Sequence, residues 1–411
     1  MRLTAEEREM LAGRRGEAVR RAMTSLVAVG RFFGSQRMVL VASVHLMGDT
    51  EALGESGIAF IEEMARLGAR AVVPAITDPR SCSLAVYRRV GQDEAVAERE
   101  RRAIRAFETI GLLTADTCVP YQTDFQARFG EHLAWGDTGS VIYANSVIGA
   151  RSNYEGGPSA LAAAVAGRVP AYGYHLDATR RATTIVEVRH RPCEPADWGA
   201  LGCLVGRQVD DYWQVPAFVG LDASPTSDDL KHLGASLASY GSLAMFHIEG
   251  VTPEARTLRE ATGGRRVRRV VVRPGDLARM YAGFTPERPK ADLVVFSAPQ
   301  LSAVEVRAVA AALAGKRVHP ETKLYVTTNY QVKALADKLG YTKTIEDAGG
   351  LVIPGVCFYL MTPRELARKF GYRTLVTNSA KLANIIPGYG YNPVLRPFAQ
   401  CIEAALNGRV K

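Results

Sequence analysis

The 411-residue chain is 47% hydrophobic and 23% charged, a balance that excludes a disordered chain or a small disulfide-stapled scaffold and leaves room for two or three lobes. No run approaches the roughly 20 apolar residues of a membrane span, and the opening Met1-Arg2-Leu3-Thr4 leads into a helix pattern and not a secretory signal, so the expected location is cytoplasmic. Lys and Arg total 51 against 42 Asp and Glu, a net charge of +9. The basic residues (Arg14, Arg15, Arg20, Arg21; Arg99, Arg101, Arg102, Arg105) have acids between them, which reads as an ion-paired surface and not a stripe for nucleic acid.

From the N-terminus, the capping box Thr4-x-x-Glu7 and the spacing of Met10, Leu11, Val19, Met23 and Leu26 predict one helix over 4–29. After a turn at 30–34, residues 38–42 read as a strand ending in polar Ser43 and His45. The loop 54–57 leads into a helix to about Leu67, and 71–74 reads as the next strand. A charged helix follows over 93–110. Further strands are predicted at 243–246, 270–272, 293–296, 324–327, 351–353 and 374–376, with helices at 303–314, 331–339 and 363–370 between them. This alternation is the mark of an α/β fold with largely parallel sheets. No repeat or low-complexity linker divides the chain, and a lobe change is expected near 283–289. In such folds ligands lie beyond the carboxyl ends of the strands, where this sequence puts Ser43-Val44-His45, Thr77-Asp78, Thr117-Cys118-Val119-Pro120-Tyr121, Ser297-Ala298-Pro299-Gln300 and Thr377-Asn378-Ser379-Ala380-Lys381.

Three features bear on chemistry. The stretch 145–158 packs Asn145, Ser146, Arg151, Asn153 and Glu155 between glycines, with Pro158 at the start of an alanine-rich helix; it suits an anion such as a carboxylate or phosphate, or else is a turn using Asn and Gly for left-handed backbone. Ser379 and Lys381 stand two residues apart, a weak pairing by itself, and no nucleophile elbow, Walker loop or dinucleotide fingerprint accompanies them. The six cysteines (Cys82, Cys118, Cys193, Cys203, Cys357, Cys401) include no C-x-x-C pair, so spacing identifies no local metal site, and each taken singly reads as a buried free thiol.

The strings Leu3-Thr4-Ala5-Glu6-Glu7, Thr117-Cys118-Val119-Pro120-Tyr121, Ala144-Asn145-Ser146-Val147-Ile148-Gly149-Ala150-Arg151, Glu155-Gly156-Gly157-Pro158, Ala244-Met245-Phe246-His247, Thr377-Asn378-Ser379-Ala380-Lys381 and Cys401-Ile402-Glu403-Ala404-Ala405 resemble the aconitase X family over nearly the whole of 1–411. The resemblance implies an aconitase-like multi-lobe architecture with largely parallel three-layer sheets. It also implies a hydro-lyase that works with a small swivel-domain subunit, here expected as a separate chain. Activities known in the family are dehydration of (R)-5-phosphomevalonate to trans-anhydromevalonate 5-phosphate, favoured here by the unfused length and arginine-rich composition, and dehydration of cis-3-hydroxy-L-proline. A non-catalytic α/β binding subunit is the other function class.

The resemblance further implies an iron-sulfur cluster, expected as 4Fe-4S with one open iron and held by Cys118, Cys357 and Cys401. Where many relatives carry Cys-Pro-His this chain has Ala298-Pro299-Gln300, so their ligand set does not transfer whole. Ser379 and Lys381 are the expected catalytic residues, with the alternative that the base is a serine of the small partner. The anionic substrate is expected to meet Asn145, Ser146 and Arg151 on one side and Asn378, Ser379 and Lys381 on the other. Gly54, Glu55 and Ser56, neighboured by Thr77 and Asp78, are expected at its phosphate.

Overall fold

In the computed structural model, which describes residues 1–221 and 224–410, the strands fall into three groups along the chain. The first holds β1 (Met38–Leu40), β2 (Val44–Leu46), β3 (Ala75–Thr77), β4 (Ala134–Trp135) and β5 (Arg168–Pro170). A parallel sheet runs β3-β2-β4, and β1 pairs antiparallel with β5. The second is a parallel sheet in the order β8-β7-β6-β9, made of β6 (Thr184–Val188), β7 (Pro216–Val219), β8 (His247–Ile248) and β9 (Arg268–Val272). The third, also parallel, has the order β12-β11-β10-β13-β14, from β10 (Leu293–Phe296), β11 (Lys323–Thr328), β12 (Gly350–Pro354), β13 (Thr374–Thr377) and β14 (Asn392–Leu395). Residues 283–289 fall between the second and third sheets.

Period-two alternation sorts the third sheet's side chains into two cores. Val294, Phe296, Leu324, Val326, Val352, Val376 and Val394 pack on one face with the helix Ala303–Leu313 and the helix Phe398–Asn407, which carries Cys401. Leu293, Val295, Tyr325, Leu351, Ile353 and Leu375 pack on the other face with Ala298, Cys357, Phe358, Leu366 and Leu382. The sheet is thus the middle of three layers.

Local departures from the sequence expectation have identifiable causes. The helix expected over 4–29 is two helices, Ala5–Leu11 and Glu17–Phe32, because Gly13 and Gly16 take φ of 80° and 95° between them. The strand expected at 71–74 begins instead at Ala75, past Pro74, which has no N–H to give a ladder. Residues 243–246 are buried but irregular; the Phe246 N–H is spent on Ser146 Oγ at 2.8 Å, and pairing starts at His247. On the surface, Arg20 and Arg21 bond Glu17, Arg102 bonds Glu55 and Glu62, and Arg101 bonds Glu94 and Glu98. Among the described residues no helix is long and apolar enough to cross a membrane.

The first and third groups are joined by a buried arginine. Arg80, 1% exposed, donates from Nε to Asp116 Oδ1 at 2.8 Å and lies 5.0 Å from the Phe107 ring centroid. Its backbone N–H reaches Gly355 O at 2.9 Å, just past β12. Arg80→Ala leaves the buried Asp116 carboxylate without its cation and is expected to cost about 3–5 kcal/mol, read as a lower midpoint in urea unfolding.

Candidate functional site

Loops leaving the carboxyl ends of the first and third sheets converge on one buried, charged cluster. Asp78 follows β3, Asp137 follows β4 and caps the helix Thr138–Tyr143, and His45 stands within β2. From the other side, the Ser297–Gln300 turn follows β10, Cys357 follows β12, and Ser379 caps the helix Ala380–Ile385 after β13, placing Lys381 in its first turn. Cys118 arrives on the segment before the short helix Pro120–Thr123.

Two thiols meet here. Cys118 and Cys357 are both buried and lie on either side of the 297–300 turn. The 297–300 turn braces the pair: the Gln300 N–H donates to Cys118 Sγ at 3.3 Å, and Ser297 Oγ is 3.6 Å from Cys357 Sγ. The Gln300 amide donates from Nε2 to Asp116 O and Val356 O, both at 3.1 Å, and accepts the Cys118 N–H at 3.3 Å. Ala298 within the turn has φ of 58°, a left-handed backbone that costs a non-glycine residue about 1–2 kcal/mol. Burial, and then the neighbouring Cys357, pushes the Cys118 thiol well above its usual range.

Charge is concentrated in an ion pair. Lys381 Nζ donates to Asp137 Oδ1 at 3.1 Å with both side chains at most 4% exposed, and it stands 5.8 Å from the Tyr359 ring centroid. Burial opposes both ions, but Asp137 outweighs it for Lys381, whose ammonium is held above its ordinary value with help from Cys118 and Cys357. Burial likewise pushes the Asp137 carboxyl up, while Lys381, His45 and the Ser140 N–H at 2.8 Å together bring it below the ordinary carboxylate range.

Asp78 is different: neither carboxylate oxygen has a hydrogen-bond partner, and the residue is 1% exposed. Burial, then Asp137 and Cys118, raises its pKa well above the usual carboxylate value, so the neutral acid is favoured. His45 Nε2 is 2.7 Å from Thr117 O and 3.3 Å from Asp78 Oδ1; burial lowers its pKa to about 4, which leaves the imidazole neutral near pH 7.

The sequence-derived candidates therefore divide. Cys118, Cys357, Asp78 and Lys381 come together. Cys401 does not: it lies in the core on the opposite face of the third sheet from Cys357, with its Sγ 3.4 Å from Arg396 O. Ser379 is at the cluster but structurally engaged, its Oγ donating to Ala298 O and accepting the Leu382 N–H at 3.1 Å. Asn378, half-buried, lines a groove with Phe398, Asp228 and Glu305.

The side chains of the 145–151 loop are bonded within the chain. Asn145 Nδ2 donates to Ser152 O and Ala244 O, its Oδ1 accepts the Ser152 N–H, and Ser146 Oγ accepts the Phe246 N–H. Arg151 is taken by Asp177 Oδ1 at 2.5 Å and His175 O at 3.0 Å. Gly54, Glu55 and Ser56 are exposed at a kink inside the helix Thr50–Arg66, with Glu55 bonded to Arg102. The Thr77 hydroxyl is spent on Asp116 at 2.7 Å. Sequence reading missed Asp137, whose only local signal is its capping position before Thr138, and Tyr359, which carries none.

An iron-sulfur cube held by three thiolates does not fit this donor set. Two thiols converge, and among the described residues no three Cys, His, Asp or Glu side chains stand together as a metal site.

Sequence profiles described as Aconitase X first, second and third domain match residues 1–178, 182–282 and 291–407. The phosphomevalonate dehydratase large subunit of Methanocaldococcus jannaschii is 35% identical over 100% of both chains. The cis-3-hydroxy-L-proline dehydratase of Pseudomonas aeruginosa is 36% identical over 99% of this chain, which spans 70% of that protein. The crystal structure of Thermococcus kodakaraensis aconitase X in its holo-form superposes with a TM-score of 0.89 at 34% identity, covering 98% of this chain and 100% of that one.

The ion pair makes a signed prediction. In Lys381→Met the Asp137 carboxylate is buried without a cation, and the loss is expected to be about 3–5 kcal/mol at pH 7. Without Lys381, burial lifts the folded-state pKa of Asp137 above its unfolded value of about 3.9, so the variant gains stability as pH falls towards that value. The parent, whose Asp137 is held low, gains nothing there and loses the pair's contribution only at more acid pH. The stability gap measured by urea unfolding should be widest at pH 7 and narrower at pH 5.

Proposed function

The chain belongs to the aconitase X family, and from that premise we propose that it is the large subunit of a phosphomevalonate dehydratase, which eliminates water from (R)-5-phosphomevalonate to give trans-anhydromevalonate 5-phosphate. The carrying observation is the match to the Methanocaldococcus large subunit, 35% identical over the whole of both chains, together with the superposition on the Thermococcus aconitase X structure at a TM-score of 0.89. The words "large subunit" in the relative's name support a small partner, for which a swivel domain is the reading adopted here.

The elimination removes a weakly acidic proton alpha to a carboxylate and expels hydroxide. It therefore needs positive charge for the enolate-like dianion and a proton for the leaving oxygen. Lys381, kept as the ammonium by Asp137, supplies the charge. Asp78, favoured as the neutral acid and free of hydrogen-bond partners, supplies the proton from its carboxyl oxygen. Because the Ser379 hydroxyl already serves Ala298 O and the Leu382 N–H, this reading assigns the base to the small partner. The family relation carries the expectation of an iron-sulfur centre near Cys118 and Cys357, and no step of this scheme depends on it.

Anaerobic assay of the chain alone, and with the small subunit, tests the proposal. Turnover of (R)-5-phosphomevalonate is expected only in the complex, with little on cis-3-hydroxy-L-proline. Equal turnover by the isolated chain would remove the two-subunit scheme, and preference for the hydroxyproline would reassign the substrate. In the complex, Asp78→Asn should lower kcat by about 10²–10⁴-fold, the usual contribution of a general acid, with circular dichroism unchanged.

A further inference from the structure

At the edge strand β8 of the second sheet lies a cavity of about 540 Å³ that none of Asp78, Cys118, Asp137, Cys357 or Lys381 lines. Its walls carry four arginines against three acids. Three of the arginines are paired: Arg151 with Asp177, Arg180 with Glu254, and Arg256 with Glu260 through Nε and Nη2. Arg180, 2% exposed, is fully committed, since it also donates to Asn145 O at 2.9 Å and to Tyr174 O at 3.1 Å. Arg181 is the exception: it donates from Nη1 to Glu260 O at 2.9 Å and has no carboxylate within ion-pair distance among the described residues. One positive charge is therefore in surplus. The cavity also holds an unfilled acceptor. His247, 1% exposed, lines it and donates from Nε2 to Arg180 O at 2.8 Å, because a carbonyl can only accept. Burial lowers the pKa of this ring, which leaves it neutral with a bare lone pair on Nδ1. That nitrogen is buried without a hydrogen-bond partner, and it is the polar atom His247 has left to offer. Such an unmade bond costs about 1–3 kcal/mol.

We propose that this cavity binds a small phosphate monoester in its singly protonated form, at a site separate from the Lys381 cluster. The surplus charge of Arg181 matches a monoanion, and the P–OH group supplies the donor that His247 Nδ1 lacks. An ionised carboxylate meets the charge but brings no donor. Arg151 and Arg256 keep N–H groups beyond those their acids take, available to the remaining phosphate oxygens. The three acids, each held by its arginine, weigh against a dianion. A phosphate monoester loses its second proton with a pKa of about 6, so the monoanion is present near neutral pH. The volume falls in the range of small-molecule sites, roughly 300–1,000 Å³, and leaves room for the organic part of an ester.

The test is isothermal titration calorimetry of the full chain at low salt and about pH 6.5 with glycerol 3-phosphate, inorganic phosphate and acetate, with circular dichroism of each variant as the folding control. Glycerol 3-phosphate is expected to bind at least about 10-fold tighter than acetate, and tighter than inorganic phosphate, which has no organic part. Arg181→Gln and His247→Phe should each weaken it by about 10-fold or more, the worth of one charge-assisted hydrogen bond, whereas acetate binding falls only in Arg181→Gln. Arg181 is exposed, so its variant tests the site even where His247→Phe fails to fold, and binding at the Lys381 cluster would not respond to it. Acetate held as tightly as glycerol 3-phosphate, or glycerol 3-phosphate binding unchanged in Arg181→Gln or in folded His247→Phe, would overturn the proposal; equal affinity for inorganic phosphate would overturn the ester in favour of the free ion. The titration uses neither phosphomevalonate nor the partner, so its outcome stands apart from that of the dehydratase assay.

Discussion

The buried ion pair between Asp137 and Lys381 is the constraint around which the site is arranged. It joins a helix cap of the first lobe to a helix of the third, residues far apart in the chain. Taking two ions from water costs several kcal/mol each, and their attraction offsets this only when geometry is good and the leftover hydrogen-bonding capacity is filled. Here the Ser140 N–H fills the second Asp137 oxygen, and the Tyr359 ring lies near the ammonium. A pair so confined serves poorly as a source of stability compared with apolar packing. In the proposed dehydratase reading its value is a fixed positive charge that needs no reorganisation when negative charge develops beside it.

The same low-dielectric pocket gives neighbouring acids opposite fates. Asp137 has a cation and stays ionised; Asp78 has none and is driven towards its neutral form by burial and then by the charge of Asp137. His45, although beside Asp78, is kept neutral by burial. Two carboxyls thus differ in protonation through their surroundings alone, which the proposed reading uses to separate charge stabilisation from proton donation.

The site is held rigid by the Ser297–Gln300 turn. Its left-handed Ala298 is over-determined by its neighbours: Ala298 O accepts from Ser379 Oγ, Ser297 Oγ takes Thr327 and Phe358, and Gln300 spans Asp116 and Val356. Unusual backbone persists where the surroundings leave no alternative, and such places gather at functional sites.

Sequence alone determined the α/β class, the parallel third sheet almost strand for strand, and the motif loops at its carboxyl end, because buried parallel strands are apolar runs bounded by turn residues and need no knowledge of their partners. Four of the residues read as functional, Cys118, Cys357, Asp78 and Lys381, do converge. Only the tertiary structure decided the rest. Asn145, Ser146 and Arg151 look the same in sequence whether they face a ligand or a backbone carbonyl, and here they meet Ala244 O, the Phe246 N–H and Asp177. Cys401 sits in a family-like string just as Cys118 does, yet strand pairing puts a sheet between Cys401 and Cys357. Short strands such as β4 and β8 gave too few residues for a period to register, and Asp137 draws its importance from Lys381, a residue 244 positions away. Which face a side chain occupies, and what fills its hydrogen bonds, is set by packing between distant segments, and local pattern carries no record of that.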